Sequence, residues 1–191
     1  LVAHAPTREA AIDRLHLALD HYEIDGIVSN RQFLSAVLEN ESFRSGDLTT
    51  GFIDAEFEGD FVAEPPSDAA AARLVALGTA IVALQMEERH ASDPDTGFVV
   101  ISQDGARRMV ELGHVTNRSA KLTVDGKGFT LLGLLQAPVY LFDGTINEEP
   151  VAVQIRHSGH KVVLTHGAAR LALTVLPVSY THLTLPTTDR V

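Results

Sequence analysis

The sequence predicts an α+β fold in which a short mixed α/β segment leads into an antiparallel β-barrel wrapped around one long helix. Three observations carry this. From Leu74 to Leu84 eleven consecutive residues bear no charge. Ala70, Leu74, Leu77, Ile81 and Leu84 recur at steps of four and three, the spacing of a helical stripe. Val75, Val82, Met86 and several alanines fill the other faces, and a helix apolar nearly all round belongs in a core. After it come eight short apolar segments separated by turn residues, a pattern of antiparallel strands closing into a barrel. Before it, helical patterns alternate with short strand-like runs.

Taken in order, Leu1–Ala5 reads as a strand ended by Pro6. Thr7 can cap a helix reaching His21, with Ile12, Leu15, Leu19 and Tyr22 on its apolar face and Arg8, Glu9, Asp13, Arg14 and Asp20 in water. Ile24–Val28 reads as a second strand, broken by Gly26. Ser29 and Gln32 have the spacing of a capping box. The helix they open is expected to bury Phe33, Leu34, Val37 and Leu38, with a further turn over Glu41–Phe43. Gly46-Asp47 marks a turn before Thr49–Ile53. Residues 55–66, acidic and ending in Pro65-Pro66, read as a solvated linker.

Ser67 is a suitable N-cap, and Asp68 complements the dipole of a helix running to His90. Its charge-free part is shorter than the roughly 20 residues that span a bilayer. Glu87–Gly97 is a turn-rich loop. Strands are expected at Phe98–Ser102, Arg107–Leu112, Ala120–Val124, Phe129–Leu135, Val139–Phe142, Val151–His157, Lys161–Thr165 and Arg170–Leu176. Asp125-Gly126, Asp143-Gly144, Ser158-Gly159 and His166-Gly167 are the expected turns. Val151, Val153 and Ile155 alternate with polar or smaller residues, as a strand with one core face requires.

Pro6-Thr7-Arg8-Glu9, Ile24-Asp25-Gly26, Asn30 with Phe33-Leu34, Phe43-Arg44-Ser45-Gly46-Asp47 and Thr49-Thr50-Gly51-Phe52-Ile53 follow one another across the first part of the chain. This run resembles the end of the biotin carboxylase domain of biotin-dependent acyl-CoA carboxylases. The acidic linker, the Ala-rich helix and the strands ending in Leu171–Pro177 resemble the helix-in-barrel module that follows that domain in alpha subunits of the propionyl-CoA-carboxylating members. The resemblance implies boundaries: 1–54 as the C-terminal part of the biotin carboxylase domain, 55–66 as linker and 67–177 as docking barrel. Residues 178–191 are expected to be a non-native tail, because Val178–Thr187 is similar to a translated DNA-library adapter. The chain opens without Met inside an apolar run and is expected to be a fragment.

The same resemblance implies a full-length parent that carboxylates biotin with ATP, Mg and bicarbonate and then passes the carboxyl group to an acyl-CoA. Neither biotin nor ATP is expected to be bound by this piece, which would supply scaffold and docking. The implied partners are a carboxyltransferase beta subunit and other alpha subunits. Glu88, Arg89, His90, Ser92 and Asp93, on the segment leaving the long helix, are the candidate docking residues. Carboxylases acting on methylcrotonoyl-, geranyl- or acetyl-CoA fit the same resemblance. A stand-alone, non-catalytic barrel binding module is the alternative of a different class.

Composition narrows the chemistry. With 15 Lys plus Arg against 25 Asp plus Glu, the net charge of −10 disfavours a nucleic-acid partner. There is no cysteine, hence no thiolate nucleophile and no zinc-thiolate site. No signal peptide or membrane span is evident, which points to the cytoplasm or, in a eukaryote, the mitochondrial matrix. Gly126-Lys127-Gly128 reads as a turn between strands rather than a phosphate loop. His157, His160 and His166 lie near adjacent turns and could in principle hold zinc. They read more simply as turn-flanking polar residues, so no metal and no catalytic residue is assigned. His16 and His21 are expected in water, and His4 as a packing residue.

Overall fold

The computed structural model of the 191-residue chain describes residues 1–22, 24, 29–57, 61, 63, 65–88, 97–135 and 140–178, the side chains of 87 and 88 excepted. Among the described residues five helices precede eight strands: α1 (Arg8–His21), α2 (Arg31–Glu39), α3 (Glu41–Ser45), α4 (Phe52–Glu56), α5 (Asp68–Glu88), β1 (Gly97–Ser102), β2 (Arg107–Val115), β3 (Ser119–Val124), β4 (Lys127–Gly133), β5 (Leu141–Ile146), β6 (Glu149–Ser158), β7 (Lys161–His166) and β8 (Ala169–Pro177). Each strand pairs antiparallel with the next. β8 returns to β1 with Phe98 opposite Pro177, so the barrel closes. Closure leaves none of the described strands at an open edge.

α5 fills the barrel. Every residue from Leu74 to Leu84 is buried, and Leu77 and Ile81 are wholly inaccessible. Each such side chain contributes about 1.5–3 kcal/mol of apolar burial. Gly78 sits where a Cβ would lie 3.0 Å from a Val162 methyl, so the helix approaches β7 more closely than an alanine would allow without adjustment. Thr79, the buried hydroxyl of this helix, donates to the Val75 carbonyl at 2.8 Å and is satisfied within the helix. Ser67 caps the first turn by accepting from the Ala70 N–H at 3.4 Å. Asp68–Met86 is long and apolar enough to cross a bilayer, but most of it is enclosed by strands.

The helical segment has its own small core of Ile12, Leu19 and Leu38, with Leu15 and Phe43 against it. Thr7 caps α1, accepting from Ala10 N–H at 3.2 Å. Gly46 closes α3 in the left-handed conformation, φ 86°.

Several expectations are corrected. Leu1–Ala5 is irregular, because no described strand pairs with it. α2 begins at Arg31 with Asn30 as N-cap and no side-chain capping bond, and the Gln32 amide is buried instead of reaching back. Its buried stripe is Arg31, Ser35 and Leu38, which leaves Leu34 exposed, as is Tyr22 on α1. Phe57 and Phe61, in the stretch read as solvated linker, pack edge-on against Phe33 at 5.2 and 5.5 Å between ring centroids. Asp143-Gly144 is not a turn but lies inside β5. Gly144 faces Gly133 across the ladder, and a Cβ on Gly144 would fall 2.1 Å from the Leu132 carbonyl oxygen. The glycine serves close approach of two strands. The turn itself is Asn147-Glu148, both at positive φ. The expected strand at Ile24–Val28 and the tail from 179 onward lie outside the described residues, apart from Ile24.

Candidate functional site

The described polar groups converge where α1 and α2 meet the β7–β8 turn. Asp20, expected in water, is only 3% exposed. One carboxylate oxygen accepts the Gly167 backbone N–H at 2.8 Å. The other faces His166 Nδ1 at 3.4 Å and His16 Nδ1 at 3.8 Å. The Arg31 guanidinium, itself buried, lies 3.8 Å from this carboxylate. Glu39 completes the seat, accepting from the Ala168 N–H at 3.2 Å and bonding His16 Nε2 at 2.7 Å. Gly167 takes the left-handed conformation, φ 56°, which favours glycine, and a Cβ there would lie 2.3 Å from the Glu39 carboxylate oxygen and push it from its seat. Farther along the seam, Gln154 of β6 donates to the Tyr22 and Asp20 carbonyls at 2.9 and 3.2 Å, and Arg156 donates to the Ile24 carbonyl at 2.9 Å. His21 pairs with Asp143 at 3.3 Å.

These contacts set the ionisation of the seam. The Glu39 hydrogen bond, with help from nearby Asp20, raises the His16 pKa against its partial burial. Burial opposes the Glu39 carboxylate, but the His16 bond and the Ala168 N–H outweigh it and hold its pKa below the ordinary value. Burial lowers the Arg31 pKa, and Asp20 offsets part of that. His16 is therefore partly buried and paired, whereas His21 is exposed, as expected, and also pairs with Asp143; His4, expected as a packing residue, is exposed, and its carbonyl accepts from Arg14 at 2.7 Å. Among the described residues no three His, Cys, Asp or Glu side chains are placed to hold a metal ion.

The exit of α5, from which the candidate docking segment departs, lies at the opposite end of the barrel. Asp68, at the start of α5, meets Arg108 at 3.3 Å beside the β3–β4 turn, and Arg73 pairs with Glu149. At the exit of α5, Gln85 hydrogen-bonds His157 at 2.9–3.0 Å, next to the β6–β7 turn. Glu88 is the last residue of α5. Arg89, His90, Ser92 and Asp93 lie outside the described residues, between α5 and β1. Of the three histidines weighed as zinc ligands, His157 thus turns to α5 and His166 to Asp20 and the Ala152 carbonyl. The Gly126-Lys127-Gly128 stretch is a hairpin turn, with Asp125 at φ 49° and Gly126 at φ 78°, and leads into a strand rather than a helix. No anion cradle for ATP forms there.

Residues 69–184 match the propionyl-coenzyme A carboxylase BT domain. The chain belongs to this family. Residues 1–55 match the biotin carboxylase C-terminal domain. In that order the two make the chain a segment of an alpha chain of the propionyl-CoA carboxylase type. The propionyl-CoA carboxylase alpha chain of Ruegeria pomeroyi is 49% identical over 61 residues, 32% of this chain and 9% of that protein. The mitochondrial propionyl-CoA carboxylase alpha chain of Caenorhabditis briggsae is 26% identical over 190 residues, 87% of this chain and 26% of the relative. The biotin carboxylase of Halalkalibacterium halodurans is 43% identical over 53 residues, 28% of this chain and 12% of that protein. The chain thus spans between a tenth and about a quarter of the length of these relatives. The BT-domain resemblance explains why a closed barrel on one helix follows the biotin carboxylase segment. It assigns nothing to the polar seam, which no sequence motif marks.

Proposed function

We propose that this chain is the part of a biotin-dependent acyl-CoA carboxylase alpha subunit that joins the biotin carboxylase domain to the carboxyltransferase beta subunit. The observation that carries this is the order of the two matched segments, with the second folded as a closed barrel around α5. In this reading the full-length enzyme carboxylates biotin at the expense of ATP, with Mg and bicarbonate, and transfers the carboxyl group to propionyl-CoA. In this reading biotin and ATP are bound by parts of the enzyme outside this chain. The chain supplies scaffold, and the segment Glu88 to Asp93 supplies the contact with the beta subunit. Other alpha subunits complete the assembly, in the cytoplasm or the mitochondrial matrix. Propionyl-CoA is preferred over methylcrotonoyl-, geranyl- or acetyl-CoA because a propionyl-CoA carboxylase alpha chain matches across 87% of this chain. The matched biotin carboxylase segment also disfavours a stand-alone barrel module.

The test is calorimetric titration of the chain into a purified propionyl-CoA carboxylase beta subunit from the same source. Saturable binding is expected, weakened by the double substitution Arg89→Ala with His90→Ala. Absence of binding, or unchanged affinity of the double variant, overturns the docking assignment. Bicarbonate-dependent ATP hydrolysis by the purified chain would overturn its purely structural role.

A further inference from the structure

We propose that the β7–β8 turn and the Asp20–His16–Glu39 seat form a proton-dependent latch that fixes the barrel against the helical segment. The inference concerns this seam alone and is independent of the docking role. The two apolar cores are separate clusters, one in the barrel and one between α1 and α2. The described seam between them is instead held by hydrogen bonds and charges: Gly167 and Ala168 N–H on Asp20 and Glu39, Gln154 and Arg156 on backbone carbonyls, and His21 on Asp143. Such a seam changes strength when its members gain or lose protons, whereas an apolar one would not.

His16 is the group on which this turns. It shares its cleft with Asp20 on its own helix, Glu39 of α2, Arg44 of α3 and His166 of β7, with Arg31 of α2 beside Asp20 and Asp13 one turn back already paired to Arg44 at 2.6 Å. As an imidazolium, His16 presents an N–H to each carboxylate. As a neutral ring hydrogen-bonded to Glu39, it turns a lone pair toward Asp20. Two carboxylates then share the seat with Arg31 as their close cation. Their N–H partners on the turn remain, but the charge balance that holds both carboxylates in place is lost.

The sign follows from the direction of each shift. His16 has a raised pKa, so its contribution is complete below the ordinary value of 6.5 and is lost as pH climbs through the raised value. Glu39 has a lowered pKa, so its contribution is present above its ordinary value of 4.5 and is lost only as pH falls through the lowered one. The latch is therefore tightest in mildly acidic solution and loosens on the alkaline side.

The natural absence of cysteine makes the test clean. Ala10→Cys on α1 and Lys127→Cys at the start of β4 place one nitroxide on each side of the seam in the full chain. Electron–electron resonance distances are then recorded from about pH 5.5 to about pH 8.5, across the ordinary histidine range. A single narrow distance is expected at the acid end, lost with a midpoint above the ordinary histidine pKa. The same pair carrying His16→Gln is expected to lose most of that pH response, the remainder belonging to His21 on Asp143. A distribution unchanged across the range in the unsubstituted seat overturns the proposal. So does an identical pH response in His16→Gln. If that variant fails to fold, as read by circular dichroism, the titration of the unsubstituted seat decides alone.

Discussion

At the scale of single residues, Asp20 shows how much a distant partner can change a side chain's role. On α1 it occupies a position that helical spacing alone puts in water. It is buried because the turn at Gly167, far along the chain, folds onto it. Removing it leaves Arg31 buried opposite an empty place. Asp20→Ala is therefore expected to cost about 3–5 kcal/mol, the penalty for orphaning one member of a buried pair. Urea unfolding of the full chain measures this, and a loss near that of an exposed ion pair, about 1 kcal/mol or less, would show that the seat is solvated. The pH dependence is a second check. Because His16 and His21 both have raised pKa values, stability should fall as pH rises beyond 6.5, and His16→Gln should flatten part of that fall. None of this was legible in the sequence. A carboxylate reads as solvated until the tertiary contact that covers it is known.

At the scale of elements, α5 was legible because its apolar run is unbroken and its cap sits where Ser67 stands. Leu77→Asp should cost about 4 kcal/mol or more, because the buried core cluster around it, among the described residues, is made of apolar side chains. If thermal unfolding shows Leu77→Asp to be as stable as the parent, α5 is not enclosed. All eight strands were legible as well, with one displaced. Asp143-Gly144 carries the composition of a tight turn, yet its glycine is needed for the close approach of β5 to β4. Gly144→Ala should thus be strongly destabilising despite its place in a strand. The true turn, Asn147-Glu148, lacks a glycine, and Glu148 stands at φ 69°. Glu148→Gly relieves a left-handed strain of about 1 kcal/mol, which for a chain of this size raises Tm by about 2–4 °C. A lowered Tm would contradict the turn assignment.

At the scale of the whole molecule, the strands alternate in direction, so the barrel has two ends built from different turns. The β3–β4, β5–β6 and β7–β8 turns and the start of α5 share one end, where the latch to α1 and α2 lies. The exit of α5, the start of β1 and the β6–β7 turn share the other, away from the latch. The order of segments was legible from short motifs in residues 1–54 and from the apolar helix, and the BT-domain match agrees with it. The seam between the two cores was not, since its partners are separated by well over a hundred residues and most of its bonds go to backbone. In the proposed arrangement the helix-exit end of the barrel docks the beta subunit while the latch end holds the biotin carboxylase segment. Hydrogen exchange of the chain, alone and with the beta subunit, tests it most directly. Added protection is expected between Gln85 and Phe98 and at the β6–β7 turn, with α1 and α2 unchanged. Protection confined to α1–α4, or none at all, would contradict it.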